Sequence, residues 1–274
     1  MQEKLEICKE ICAQVTNQTI STNDIFPYRG FNVSFISLLF TVRKHGVETL
    51  NQYLAYFSHC NQVRKTIAEL SKKLTLFTPE QIRLIKYLSM LKMGIGESDV
   101  LSHGVSYQLL KNHPSLETSV ISIENYQQNR HYLILLSNSL PKENDDLESA
   151  LLQLPCDAII IDPYLHFVNA ASLYKSENNA FLEMHQFQKI SSIQCKPILS
   201  IEEQRAIESQ AQNLCKKLTS DTKSCPDPIA ALRGSFFPDA PIPKIPDMIT
   251  KKQERQSILS KDETIMNPTR RNLC

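Results

Sequence analysis

Ser98, His131 and Asp162 have the types and the chain order of a nucleophile, a base and an orienting carboxylate. In such a set the carboxylate accepts from one imidazole nitrogen and fixes the tautomer. The other nitrogen takes the proton of the nucleophile as it attacks. Each residue also has an ordinary role: Ser98 as a helix cap, His131 as a strand-edge histidine bonded to a carbonyl, Asp162 as a turn residue before Pro163. What favours chemistry is their joint placement on a helix start, a strand start and a strand end.

The elements that would position them can be read from the surrounding residues. Gly94 and Gly96 mark a turn, and Glu97, Ser98 or Asp99 caps a helix carrying Val100, Leu101, Gly104, Val105, Leu109 and Leu110 at helical spacing. Backbone N–H groups at Ser98 and Asp99 then face outward at the positive end of the helix dipole, as oxyanion donors. His131 opens the run HYLILLS, a strand. Asp162 closes DAIIID, whose three isoleucines predict a strand buried on both faces. His166 is a second, weaker base near Asp162, and His103 is placed on the solvent side of its helix. Glu97 and Asp99 would oppose a thiolate at position 98.

The rest of the chain frames this segment. Helices are predicted over 2–17, 31–42, 47–57, 62–74 and from Thr78-Pro79 to Gly94, forming an N-terminal helical region over 1–90. Strands are predicted over 118–123, 131–137 and 157–161, in one mainly antiparallel sheet with the 98–111 helix packed on it. Helices are also predicted over 145–154, 167–174 and 201–218. The fold class is therefore α+β, with the core at 91–224. From residue 225 the chain is rich in proline and then in lysine and arginine, and is predicted to be a mostly extended or disordered, solvated arm.

Composition narrows the function classes. The formal net charge of 274 residues is only +1, so no basic field points to nucleic acid. The eight cysteines include no CxxC pair and no matching histidine pair, so neither a zinc site nor any other metal or cofactor is expected, and reduced thiols are. The N-terminus is charged and amphipathic, unlike a signal peptide. No apolar run approaches the roughly 18 residues of a membrane span.

The motifs GIGES, RHYLILLS and DAIIIDPYL, in this order, resemble the papain-like and transglutaminase-like cysteine hydrolase fold of bacterial effectors and toxins. The resemblance covers about residues 90–175, and DAIIIDPYL is its most specific part. It implies a papain-like core, a Cys-His-Asp type triad at Ser98, His131 and Asp162, and a substrate cleft bordered by Gly96, Glu97 and Tyr164. Ser98 stands where that family carries cysteine, which makes the chain an inactivated form or a serine variant, and no upstream glutamine offers an oxyanion donor. The activity implied is acyl transfer on a host protein, as a protease, glutamine deamidase or transglutaminase, weak or absent with serine. The alternative is a non-catalytic protein-binding module on the same fold. Either would work in the cytoplasm, or in a host cytosol reached without a classical signal peptide.

Overall fold

The computed structural model describes residues 2–25, 46–195, 199–220 and 228–266. The chain folds as α+β around one sheet of five antiparallel strands. These are β1 (Ser119–Glu124), β2 (Arg130–Leu136), β3 (Ile159–Asp162), β4 (Phe167–Ala170) and β5 (Lys189–Cys195), in the spatial order β4-β3-β2-β1-β5. The register pairs Leu135 with Ile160 and Ile134 with Ile161. The three strands expected from the sequence fall within a residue or two of their predicted bounds.

Strand alternation sorts the side chains onto two faces. Val120, Ile134, Leu136, Ile159 and Ile161 point to one face. There they meet Cys8, Ile11 and Cys12 of α1 (Gln2–Thr16) and Val105 and Leu109 of α5 (Ser98–Asn112). Ile121, Ile123, Leu133, Leu135 and Ile160 point to the other face. They are covered by α6 (Leu147–Leu152), by α7 (Tyr174–His185) and by Tyr164 and Phe167. The isoleucine run of β3 is thus buried on both sides, as its continuous apolar character demands.

A third cluster lies beyond α5. It is built from α3 (Val47–Ser71), α4 (Pro79–Lys92), α8 (Ile201–Ser220) and α10 (Ile245–Met266). Helix α5 touches all three clusters and is buried almost all round, as befits a central helix. Two of its buried hydroxyls are satisfied: Ser102 Oγ donates to Tyr132 O at 2.8 Å, and Ser106 Oγ pairs with Thr118 Oγ1 at 3.0 Å.

Several expectations need correction. The helical region 1–90 is not a layer apart, because α1 packs on β3 and β4 and belongs to the sheet core. The runs 47–57 and 62–74 form the single helix α3. Residues 167–170 form β4, and only after the 3-10 turn Ala171–Leu173 does helix α7 begin. The cause is the reversal at 163–166, where His166 takes φ 56° and sends Phe167 back beside Asp162. Strand β5 went unassigned because KISSIQC carries little apolar signal. The predicted helix over 31–42 lies outside the described residues.

The largest correction concerns 225–274. The structure forms α9 (Pro228–Phe236) and α10 there. Pro228 and Pro246 fall in the first turns of these helices, where the missing N–H costs nothing. Ile245 and Met248 enter the third cluster, and the expected solvated tail includes the buried Lys252. Lys252 Nζ donates to the carbonyls of Thr16 and Thr19 and to Asp24. No helix among the described residues is long and apolar enough to cross a membrane.

Candidate active site

His131 is the second residue of β2 and Asp162 the last of β3. Alternation places His131 on the face of Leu133 and Leu135, and Asp162 on the face of Ile160. The antiparallel register makes them diagonal neighbours on that one face. His131 Nε2 lies 2.6 Å from Asp162 Oδ2, with both residues buried. The Tyr174 hydroxyl donates to the same oxygen at 2.7 Å, and the Leu165 N–H donates to Oδ1 at 3.2 Å. Burial, and then Asp162 beside it, push the Tyr174 hydroxyl well above its ordinary pKa, so it remains a donor. With Nε2 bonded to Asp162, Nδ1 is the imidazole nitrogen left to act as a base. Around the ring stand Phe181 at 5.0 Å, Tyr164 at 5.6 Å and Phe187 at 5.8 Å, centroid to centroid. A desolvated, charge-assisted contact of this kind is strong and fixes ring orientation.

Ser98 is the first residue of α5, where its N–H and that of Asp99 have no intrahelical acceptor. The side chain is half-buried, and among the described residues no hydrogen bond joins it to His131 or Asp162. The body of α5, through Val105 and Leu109, packs on the face opposite His131, and only the first turn reaches the near side, through Leu101. The structure therefore brings two of the three expected residues together.

Between Ser98 and His131 runs a second buried polar group, which the sequence did not reveal as such. Glu97 is the N-cap of α5, yet its side chain does not cap. It turns inward and accepts from Tyr56 Oη at 2.9 Å and Thr22 Oγ1 at 3.3 Å. Thr22 Oγ1 also pairs with Tyr164 Oη at 2.7 Å, and the Tyr164 ring lies edge-on to His131. Burial raises the Glu97 carboxyl to about 7, outweighing the hydrogen bond from Tyr56.

These contacts bear on further expectations. Gly96, Glu97 and Tyr164, expected at the border of a cleft, are all buried among the described residues. A Cβ at Gly96 would stand 3.0 Å from Ile20 O, so this glycine answers a close approach of backbone; the unusual angle belongs to Gly94, at φ 79°. The acidic flanks of Ser98 are muted. Asp99 meets Arg64 Nη2 at 3.3 Å, and Glu97 is held partly protonated near neutral pH by its raised pKa. His103 is not on the solvent side: it is 1% exposed and stacked on Tyr87 at 4.4 Å. His166, the weaker base, lies 3.3 Å from Asp24 rather than at Asp162.

Tyr174, Thr22 and Tyr56 are the site residues that sequence reasoning missed. Tyr174 comes back to Asp162 only through the β3–β4 hairpin, and Thr22 and Tyr56 meet Glu97 from helices far away in the chain. No local pattern marks any of them. Among the described residues, no group of three or more histidine, cysteine or acidic side chains could hold a metal ion. Comparison with protein-family models, with curated proteins and with solved structures finds no match to this chain.

Proposed function

We propose that the chain is an acyl-transfer protein of the papain-like or transglutaminase-like kind, acting on a protein of a host cell, with Ser98 in the nucleophile position. The observation that carries this reading is the buried 2.6 Å contact between His131 and Asp162 on neighbouring strands, held by Tyr174 and leaving Nδ1 to serve as base. In the reaction, the oxygen at position 98 attacks a carboxamide or peptide carbonyl while Nδ1 takes its proton. The tetrahedral oxyanion falls beside the N–H groups of Ser98 and Asp99, and the C–N bond breaks as His131 returns the proton to the departing nitrogen. Water or an amine then releases the acyl group, giving hydrolysis, deamidation or cross-linking. A serine hydroxyl must lose a far less acidic proton than a thiol, so activity with Ser98 is expected to be very low.

A second reading is a protein-binding module without catalysis. It is favoured by the missing Ser98–His131 hydrogen bond and by the closed aromatic shell over His131. One experiment separates the two. Ser98→Cys is treated with a thiol-directed electrophile, and labelling at position 98 is followed by peptide mass spectrometry. The acyl-transfer reading expects faster labelling than at the exposed Cys156, and strong suppression when His131→Ala is added. Labelling no faster than at Cys156 would leave the binding module in possession.

A further inference from the structure

The one-turn helix α2 (Thr22–Ile25) is wedged between the start of α5 and the 162–166 turn. It holds both sides by side chains. Thr22 bonds Glu97 and Tyr164, Asn23 Nδ2 donates to Tyr164 O at 2.9 Å, and Asp24 reaches His166. Lys252 of α10 completes the arrangement, at 3.0 Å from Asp24 and bonded to the carbonyls of Thr16, the last residue of α1, and of Thr19 in the turn after it. Although burial alone would raise it, the His166 bond and the Lys252 ammonium hold the Asp24 carboxyl below its usual value, so this ion pair is formed at neutral pH.

Two features distinguish this wedge from ordinary packing. A single helical turn has no stability of its own, so α2 keeps its form only while docked. The turn it holds is also strained, because His166 sits at φ 56°, a region a non-glycine residue enters at a cost. Release of α2 would free Tyr164 from Thr22 and Asn23 and let the 162–166 turn relax, and Tyr164 is one of the rings closed over His131. Segments held this way belong to the low-stability end of a fold and open first.

We propose that α2 is an autoinhibitory plug, latched by Lys252 of α10, whose withdrawal opens access to the His131–Asp162 pair. Its meaning as regulation rests on the acyl-transfer reading of the site, but its test does not. The full chain is treated with diethyl pyrocarbonate, and the modification rates of His131 and His103 are followed by peptide mass spectrometry. His103 is equally buried and lies away from the latch, stacked on Tyr87. In Asp24→Asn/Lys252→Met, which removes both charges together, His131 should react at least tenfold faster while His103 keeps its wild-type rate. An unchanged His131 rate overturns the plug. If both histidines speed up alike, the double variant has opened as a whole, and Thr22→Val, nearly isosteric, gives the deciding pair of rates. There a selective gain at His131 supports the plug, and no selective gain overturns it. A chemically inert position 98 with a selective gain at His131 would sink the acyl-transfer reading and leave the moving plug intact.

Discussion

Two of the buried polar centres among the described residues, the His131–Asp162 pair and the group around Glu97, are built in opposite ways. His131, Asp162 and Tyr174 meet on the sheet, where the β2–β3 register fixes the histidine and the carboxylate on neighbouring strands. Glu97, Thr22, Tyr56 and Tyr164 meet where α5, α2, α3 and the 162–166 turn converge, with no shared ladder to align them. The first centre has three donors on one carboxylate and an aromatic wall, a desolvated and satisfied hydrogen-bond network. The second has a carboxyl whose burial is only partly compensated, so its proton is exchangeable near neutral pH. Rigidity thus lies with the sheet, and adjustability with the helix ends.

The largest expected effect breaks the sheet centre. Asp162→Ala leaves a buried imidazole and a buried tyrosine hydroxyl without their acceptor and should cost about 3–5 kcal/mol, as breaking a buried pair does. Urea denaturation measures it. A loss under about 1 kcal/mol would mean that the pair is not buried as a unit.

Next comes Glu97, whose sign runs the other way. Its folded pKa of about 7 exceeds the ordinary carboxylate value, so its contribution to stability is fully present below about pH 4.5 and is lost as pH rises through about 7. Above that, the ionised carboxylate costs on the order of 3 kcal/mol relative to its protonated form. Glu97→Gln should therefore gain stability relative to wild type between pH 5 and pH 8, seen as diverging urea midpoints. Parallel midpoints across that range would contradict the burial argument.

A smaller change sharpens the comparison within the sheet centre. Tyr174→Phe removes one hydrogen bond to Asp162 and keeps the ring, so about 1–3 kcal/mol should be lost. Because the hydroxyl acts through that carboxylate, Asp162→Ala/Tyr174→Phe should cost little more than Asp162→Ala alone. Additive losses of the two single variants in urea denaturation would show that Tyr174 does not act on the pair.

The smallest effect is a control outside both centres. Glu148 meets Lys175 at 2.6 Å, but on the surface, with side-chain exposures of 59% and 45%. Glu148→Ala should change stability by no more than about 1 kcal/mol. A larger loss would mean that surface pairs carry more of this fold than either buried centre suggests.

What could be read in the sequence was local. Period-3.6 patterns, Thr78-Pro79 and the glycines near 94 placed α1, α4 and α5. The run AIII before Asp162 declared a strand buried on both faces, because three consecutive isoleucines need apolar neighbours on each side. A strand start at His131 and a strand end at Asp162 suggested that the two could meet, but the β2–β3 register is what made them diagonal neighbours on one face. Only the tertiary structure decided the rest. Pro228 and Pro246 read as breakers until their first-turn positions in α9 and α10 were fixed by packing against α3 and the third cluster. Phe167–Ala170 became a strand because the reversal at His166 returned it to β3, which no local propensity encodes. Ser98 makes no hydrogen bond to His131 among the described residues, and the body of α5 lies on the far face of the sheet. Glu97 became a buried, raised-pKa carboxyl because Thr22, 75 residues away in sequence, and Tyr56, 41 residues away, come together around it. Local sequence sets which residues can share a face. Contacts distant along the chain set what each face meets, and through burial they set its chemistry.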